Sequence, residues 1–398
     1  MAHKTYEKTH PWLSFSLDIS QLSPVTWMKL GEIVSKYDHV CGAPLAPTAA
    51  QKLNLIYLSK GIHATTSIEG NTLSEEEVAL RIKGQLELSQ SLEYQGEEID
   101  NLLEALNTIR EECTSGCAQP LSIEKIKHFN KLILRGQPLR DDVVPGEFRH
   151  SNVLVGTVYR GAPPEDVDYL MERFIEFINT DLVTDHEDYK KPVLILRAIL
   201  AHLYLAWIHP FGDGNGRTAR LIETQLLFEA GLPAPSAHLL SDFYNRTRAK
   251  YYLALERASK LANLQEGLLG FIEYAVDGLL DGLRDQVKYI QGIQIDIAWV
   301  NFIHEVFAAE DHTPAQKRRK TLALAMPYIG PDKRGISKKE LTRLTPELAE
   351  LYAHSTSRTL SRDVNELLNL KLIVERAQGY SSNKMLMSAF LPDTMTTT

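Results

Sequence analysis

Between His209 and Arg220 the chain brings together a histidine, a carboxylate, glycines and arginines that can do chemistry together. The segment contains His209, Gly212, Asp213, Gly214, Asn215, Gly216, Arg217 and Arg220. Histidine accepts a proton near neutral pH more readily than other side chains, which makes His209 a candidate general base. Glycines permit backbone angles that a side chain would forbid and let a ligand approach the main chain. The segment therefore predicts a loop that can hold an anion.

The anion that fits this loop best is a phosphate group. A helix that begins near Asn215 leaves its first N–H groups unpaired at the positive end of the helix dipole. Arg217 and Arg220 are three residues apart, so both can project from one helix face toward the same phosphates. A carboxylate in such a positive site is expected to hold a hard cation, and we predict that Asp213 binds Mg²⁺.

These residues also match a known family. The order His-x-Phe-x-Asp/Glu-Gly-Asn-Gly-Arg-x-x-Arg is the signature of Fic-domain proteins, and the segment from His209 to Arg220 resembles it without a departure. A match of this length is far more specific than a lone glycine-rich loop. The resemblance implies a mainly α fold: a Fic-type helical bundle with a small β-hairpin flap, followed here by a winged-helix domain.

A second motif lies upstream of the signature. Thr65 and Glu69 are spaced as in the inhibitory motif of Fic proteins, Ser/Thr-x-x-x-Glu-Gly/Asn. The resemblance implies that Glu69 pairs with Arg220 and occupies the place of the nucleotide γ-phosphate, as a carboxylate attracted to a guanidinium can do. Read alone, the same stretch is a helix that ends in an exposed glutamate, with Gly70 as its C-cap.

The remaining pattern divides the chain into an N-terminal arm at 1–46, a Fic domain at 47–262 with an inhibitory helix at about 48–71, a helical connector at 263–328 and a winged-helix-like domain at 329–398.

The residues Val153, Val155 and Val158 with Gly156 predict a hairpin. The resemblance implies that this hairpin holds a segment of the target protein. The aromatic pair Tyr251 and Tyr252 is typical of a helix core. The resemblance also implies that a tyrosine at this distance from the signature lies by the nucleotide base, and we predict that Tyr251 contacts the adenine.

The C-terminal part predicts three short helices, Ile336–Leu341, Pro346–Tyr352 and Ser357–Leu368, and strands at Leu372–Glu375 and Lys384–Met387 around a Gln378–Gly379 turn. The basic run Lys317-Arg318-Arg319-Lys320 is expected to be a solvated helix face. On the third helix the residues expected to face outward are Ser357, Arg358, Ser361, Arg362 and Asn365. That face suits a DNA backbone, a protein surface or solvent equally well.

Composition excludes several classes of protein. A net charge of -8 argues against bulk electrostatic binding of nucleic acid. Three cysteines, Cys41, Cys113 and Cys117, are too few and too unevenly placed for a disulfide framework or a zinc site. The N-terminus lacks a signal-peptide pattern and the apolar run 193–208 is broken by Arg197 and His202, so we expect a cytoplasmic protein without a membrane span.

The resemblance implies a protein adenylyltransferase that uses ATP and Mg²⁺. It would move AMP to a Ser, Thr or Tyr hydroxyl of a protein, either a separate target or the chain itself, and Glu69 would inhibit it. One alternative is a Fic protein that removes AMP or transfers another nucleotide. The other is a winged-helix DNA-binding regulator whose Fic part senses a nucleotide, although such a sensor does not need His209. A homodimer is compatible with the long helix predicted from Leu264 to Phe307.

Overall fold

The computed structural model describes residues 4–116, 119–155, 159–182, 184, 186–260, 264–308 and 313–388. These residues form two compact units, Met1–Val287 and Lys288–Thr398. The boundary falls inside the predicted connector at 263–328, and the predicted arm at 1–46 belongs to the first unit.

The first unit is almost entirely helical, as the predicted fold class requires. Its helices are α1 (Thr5–Thr9), α2 (Pro24–Gly42), α3 (Pro47–Ile68), α4 (Glu75–Ile82), α5 (Glu93–Thr114), α6 (Ile123–Ile133), α7 (Val167–Glu176), α8 (Glu187–Ile208), α9 (Asn215–Glu229), α10 (Ala234–Ala237), α11 (Leu239–Arg246), α12 (Arg248–Lys260) and α13 (Leu264–Val306). Helix α13 continues into the second unit. Thr247 separates α11 from α12.

Local signals in the sequence set several of these helix ends. Ser23 and Ser122 cap α2 and α6 by accepting hydrogen bonds from Thr26 and Lys125. Ser74 and Glu77 form a capping box at the start of α4. Each cap satisfies N–H groups that have no partner within the helix, so the chain enters each helix at a defined residue.

Helix α8 lies at the centre of the first unit. Leu196, Ile199, Leu203 and Ile208 on successive turns are buried, and the helix is apolar on nearly every side. It is also the one helix in the described part of the chain that is long and apolar enough to cross a membrane, but 78% of its apolar window is buried within the fold. A helix held from all sides in this way gives the loop that follows it a rigid base.

The predicted flap is a short antiparallel hairpin. Strand β1 (Leu154–Val155) pairs with β2 (Tyr159–Arg160), while Gly156 and Val158 lie outside the described residues. The N-terminal arm packs on the second strand, because His10 Nε2 donates to the carbonyl of Arg160 at 2.9 Å. The arm thus supports the base of the hairpin.

The second unit has its own core and two strands. After α13 it contains α14 (Pro314–Ala325), α15 (Lys338–Leu341), α16 (Pro346–Tyr352), α17 (Ser357–Asn369), β3 (Ile373–Arg376) and β4 (Gly379–Ser382). The two strands pair antiparallel, and Ile336 bridges Tyr380. The order of three short helices and a hairpin is as predicted, and the winged-helix interpretation stays a prediction.

Two predictions for this unit are wrong. The second strand is Gly379–Ser382, whereas the predicted strand Lys384–Met387 lies in a 3₁₀ helix. The run at 317–320 is not simply solvated, because Arg318 and Arg319 both bind the carboxylate of Asp363 at 3.1 and 2.9 Å. Asp363 is 1% exposed, and a buried carboxylate of this kind needs such cationic partners.

Candidate functional site

The candidate catalytic loop begins where α8 ends. His209 caps the helix with a left-handed backbone (φ 53°), and its N–H still donates to Leu205. This angle is unusual for a residue with a side chain and redirects the chain at once. Phe211 then anchors the loop: it is 1% exposed, packs on Phe148 and forms a β-bridge with it.

The imidazole of His209 is arranged to act as a base. Its Nδ1 lies 3.2 Å from the carbonyl oxygen of Ala206. A carbonyl only accepts hydrogen bonds, so Nδ1 carries the proton and Nε2 keeps its lone pair. Burial lowers the pKa of His209 to about 4, against smaller raising effects from the Ala206 contact and nearby carboxylates. The ring is therefore neutral at physiological pH and can accept a proton at Nε2.

The predicted helix N-terminus has the expected form. Gly214 adopts φ 74° and precedes α9, and Thr218 donates to its carbonyl. Within the described part of the chain, the N–H groups of Asn215, Gly216 and Arg217 have no hydrogen-bond acceptor. Three unpaired donors at the positive end of a 15-residue helix form an anion site.

The glycines of the signature and Asn215 have different structural roles in the loop. Only Gly214 has a positive φ among the glycines of the signature. Gly216 instead permits close approach, because a Cβ there would collide with Oε1 of Glu69. The Asn215 side chain points back into the loop, where it accepts from the N–H of Phe211 at 2.9 Å and donates to its carbonyl at 2.8 Å. The side chain thus fixes the loop, and only the Asn215 backbone is left for a phosphate.

Both arginines of the signature are paired with carboxylates. Arg217 binds Glu98 at 2.5 Å and Asp213 at 3.1 Å. Arg220 is 1% exposed, binds Glu69 at 2.6 Å and donates to the carbonyl of Thr65 at 3.0 Å. The structure therefore brings the predicted arginines, Asp213 and Glu69 together around the start of α9.

Glu69 directly follows α3 and reaches over the anion site. Gly70 has φ 106°, which turns the chain away after the helix as a C-cap glycine does. Burial raises the pKa of the Glu69 carboxyl, but the charge of Arg220 and its hydrogen bond outweigh that effect, so the pKa lies below its ordinary value. The side chain is thus an anion in a place suited to anions.

The two adjacent tyrosines of α12 differ in exposure. Tyr251 is 3% exposed, stacks on Tyr244 and places its hydroxyl 2.9 Å from Nε2 of His202. Tyr252 is 49% exposed, and partial burial and then the charge of Glu69 raise the pKa of its phenol, whereas the charge of Arg220 opposes the rise. Tyr251, which we predicted to contact adenine, therefore lies in the core, and the accessible aromatic ring is that of Tyr252.

Sequence reasoning missed three buried polar residues around the loop. Arg149 donates to the carbonyls of His209 at 2.7 Å, Ser151 at 2.7 Å and Ile208 at 3.3 Å, and also to Ala162. Asn130 donates to the carbonyl of Asp213 at 3.0 Å. Glu98 is the partner of Arg217. No local pattern marks any of them, because each acts on residues distant in the chain.

Comparisons with known proteins agree with this geometry. Residues 120–227 match the model of the Fic/DOC family. The chain is 29% identical to "Protein adenylyltransferase Fic" of Drosophila ananassae over 63% of this chain and 46% of that protein, and 31% identical to the Drosophila virilis protein of that name over 54% and 40%. It thus spans less than half the length of these curated relatives.

Solved structures share the fold. A Fic family protein from Desulfovibrio desulfuricans G20 superposes with a TM-score of 0.55 at 19% identity, over 91% of this chain and 97% of that one. A Fic domain containing signaling protein from Bacteroides thetaiotaomicron gives a TM-score of 0.52 at 22% identity, over 66% and 98%. The signature loop, the family match over residues 120–227 and this fold agree, so the chain contains a Fic domain.

Proposed function

We propose that this chain is a protein adenylyltransferase, which transfers AMP from ATP to a Ser, Thr or Tyr hydroxyl of a protein. The observation that carries the proposal is the neutral imidazole of His209 beside the unpaired N–H groups at the start of α9. The relatives from Drosophila, which bear the name protein adenylyltransferase, support the same reaction.

In the proposed reaction His209 Nε2 accepts the proton of the target hydroxyl. The hydroxyl oxygen forms a bond to the α-phosphorus, and the bond between that phosphorus and the bridging oxygen of pyrophosphate breaks. The N–H groups of Asn215, Gly216 and Arg217 face the phosphates, and the arginines neutralise charge that develops on the leaving pyrophosphate. Arg149 holds the carbonyls of His209 and Ile208, so the imidazole keeps its position.

Asp213 fits one ligand position of Mg²⁺. Its side chain is 44% exposed, and among the described residues only its Oδ1 accepts hydrogen bonds, from the N–H of Gly214 and the guanidinium of Arg217. The described residues include no cluster of three or more metal-ligating side chains, so further ligands would come from the nucleotide and water. When bound, Mg²⁺ would neutralise phosphate charge.

We further propose that Glu69 inhibits the transfer. Its carboxylate already holds Arg220 and lies against Gly216, where an incoming phosphate would have to bind. A carboxylate and a phosphate compete for the same guanidinium and the same N–H groups. ATP therefore binds productively only when Glu69 moves away.

Two further contacts belong to the same proposal. Leu154 in strand β1 is 57% exposed. The backbone edge of β1 can pair with a strand from the target protein. The exposed ring of Tyr252, rather than that of Tyr251, is available to stack on adenine. Transfer of another nucleotide, or removal of AMP from a protein, remains the alternative within the same site.

A second candidate function rests on α17. Arg358, Arg362 and Asn365 are exposed on one face, whereas Val364 and Leu367 are buried. Exposed arginines and an asparagine on a helix suit phosphate and base-edge contacts in DNA. Salt-dependent binding of duplex DNA that Arg358→Ala and Arg362→Ala weaken would support this function, and absence of binding at low salt would exclude it.

The experiment that tests the main proposal uses the Glu69→Gly protein with ATP and Mg²⁺ in a cell lysate. Mass spectrometry is expected to find peptides with AMP on a Ser, Thr or Tyr hydroxyl, and none when His209 is also replaced by alanine. Unmodified peptides in both samples would contradict adenylyl transfer, and phosphorylated or otherwise nucleotidylated peptides would indicate the alternative chemistry.

A further inference from the structure

Glu98 is a buried carboxylate with two different partners. It lies on α5, is 5% exposed and binds Arg217 through Oε1 at 2.5 Å. Its second oxygen, Oε2, accepts from the amide of Asn71 at 2.8 Å. A buried carboxylate needs hydrogen bonds to both oxygens, and here one comes from the signature and the other from the turn after Glu69.

Asn71 belongs to a turn that is tied to α5 at several points. Its N–H donates to the carbonyl of Thr66 at 3.1 Å, and its Oδ1 accepts from the N–H of Leu73 at 3.0 Å. Its amide also donates to the carbonyl of Gln95 at 3.1 Å, and the Gln95 side chain accepts from the N–H of Thr72 at 2.9 Å. These bonds fix the segment 69–73, which includes Glu69, against α5.

Arg217, the other partner of Glu98, connects Glu98 to the loop that precedes α9. Arg217 contacts both Glu98 and Asp213, and Asp213 precedes the N-terminus of α9. The contacts thus run without interruption from Asn71 through Glu98 and Arg217 to Asp213. Every member except Asp213 is at least 91% buried, so water cannot replace these bonds without a change in structure.

We propose that Glu98 is a positioning residue that couples Arg217 to the turn carrying Glu69. By holding Asn71 it keeps Glu69 over the anion site, and by holding Arg217 it directs that guanidinium toward the phosphates. This inference rests on the proposed function, because it assigns Glu98 a part in both inhibition and nucleotide binding. The two parts are separable, since Asn71→Ala breaks the first contact and leaves the second.

The test compares Asn71→Ala in the natural chain and in the Glu69→Gly chain. With Glu69 present, Asn71→Ala removes the side-chain hydrogen bonds to Glu98, Gln95 and Leu73 and should raise AMP incorporation by at least roughly threefold, the equilibrium effect of a single such bond. With Glu69 absent, Asn71→Ala should leave the rate unchanged. A similar increase in both chains, or none in the natural chain, would overturn the coupling.

Glu98→Gln should act on both parts. In the Glu69→Gly chain it should raise the KM for ATP by roughly tenfold, because the weaker neutral contact no longer holds the Arg217 guanidinium in its direction toward the phosphates, while kcat changes less. Asn101→Ala is the matched control, since Asn101 is also a buried side chain of α5 but binds Arg135. A KM that Glu98→Gln leaves unchanged, or that Asn101→Ala raises equally, contradicts the role in binding.

A second measurement does not depend on activity. Hydrogen exchange of the amides in segment 69–73 should accelerate in Asn71→Ala, in Glu98→Gln and in Arg217→Ala, but not in Asn101→Ala. Exchange unaltered by Arg217→Ala would show that the arginine and the turn are not coupled, even if adenylyl transfer is confirmed. If instead the Glu69→Gly protein transfers no AMP while exchange responds as stated, the proposed function fails and the coupling stands.

Discussion

Replacing Glu69 with glycine removes the carboxylate that lies 2.6 Å from Arg220 and next to Gly216. The substitution should leave the backbone undisturbed, because Glu69 has φ -90° and ψ 1°, angles that glycine and alanine both adopt. It opens the phosphate position above α9. We therefore expect AMP transfer to increase.

The magnitude follows from the contact that is lost. A hydrogen bond to a charged group contributes about 1.5–3 kcal/mol, and each 1.4 kcal/mol changes an equilibrium tenfold. Because Arg220 is 1% exposed and then keeps only neutral partners among the described residues, the Thr65 carbonyl and Tyr251, it becomes a buried cation without a counter-charge from Glu69 and attracts phosphate. The rate of transfer at limiting ATP should rise by roughly ten- to a hundredfold.

The assay measures incorporation of AMP from α-labelled ATP in the natural, Glu69→Gln, Glu69→Ala and Glu69→Gly proteins. Glutamine keeps the volume and a weaker neutral hydrogen bond, so its increase should be smaller than that of alanine or glycine. Without nucleotide the glycine variant should unfold at a lower temperature, and ATP at about 100 times its Kd should restore about 2.7 kcal/mol of stability. Equal incorporation and equal ATP affinity in all four proteins would refute the inhibitory role.

Three further predictions concern the loop. His209→Ala in the Glu69→Gly chain should abolish transfer while ATP still binds in a calorimetric titration; retained transfer would remove the histidine from the reaction. Arg149→Lys should lower kcat by roughly ten- to a hundredfold with little change in KM for ATP, because one ammonium cannot hold the carbonyls that the guanidinium holds. Since burial lowers the pKa of His209 to about 4, kcat/KM should stay level as pH falls from about 8 to about 6. An acid limb centred at the ordinary histidine value of 6.5 would contradict an imidazole that is neutral at physiological pH.

The arrangement from α8 to α9 was predictable from the sequence because its determinants are local. An apolar helix, three glycines and a fixed spacing of His209, Arg217 and Arg220 specify a helix, a tight loop and a second helix. The position of Glu69 at a helix end was predictable for a similar reason, since Gly70 follows it, but this local pattern alone indicated no function for the glutamate. Resemblance to the family supplied its partner, and the 2.6 Å contact with Arg220 agrees with that expectation.

The residues that were missed depend on contacts between distant parts of the chain. Arg149 lies 60 residues from His209, and Glu98 lies 119 residues from Arg217. The periodicity of apolar residues in the sequence does not reveal pairs that are so far apart in the chain. Tyr251 and Tyr252 show the same limit on a smaller scale, because neighbouring side chains on a helix point in different directions and the sequence does not say which one is covered.

Strand β4 was misplaced for another reason. In Gly379–Ser382 only Tyr380 favours a strand, whereas the segment at 384–387 has three consecutive apolar residues and was predicted as the strand. Pairing with Ile373–Arg376 and the bridge from Ile336 determine the observed strand. Tertiary contacts therefore outweighed local preference in the hairpin. The same holds for Arg318 and Arg319, which bind the buried carboxylate of Asp363 instead of lying on a fully solvated helix face.

The most direct measurement supplies the Glu69→Gly protein with Mg²⁺ and ATP labelled either at the α-phosphate or at the γ-phosphate. Label from the α-phosphate should become covalently attached to protein, label from the γ-phosphate should leave as pyrophosphate, and His209→Ala should abolish the attachment. Attachment of γ-label, or α-label that persists without His209, would contradict adenylyl transfer by the neutral imidazole at the start of α9.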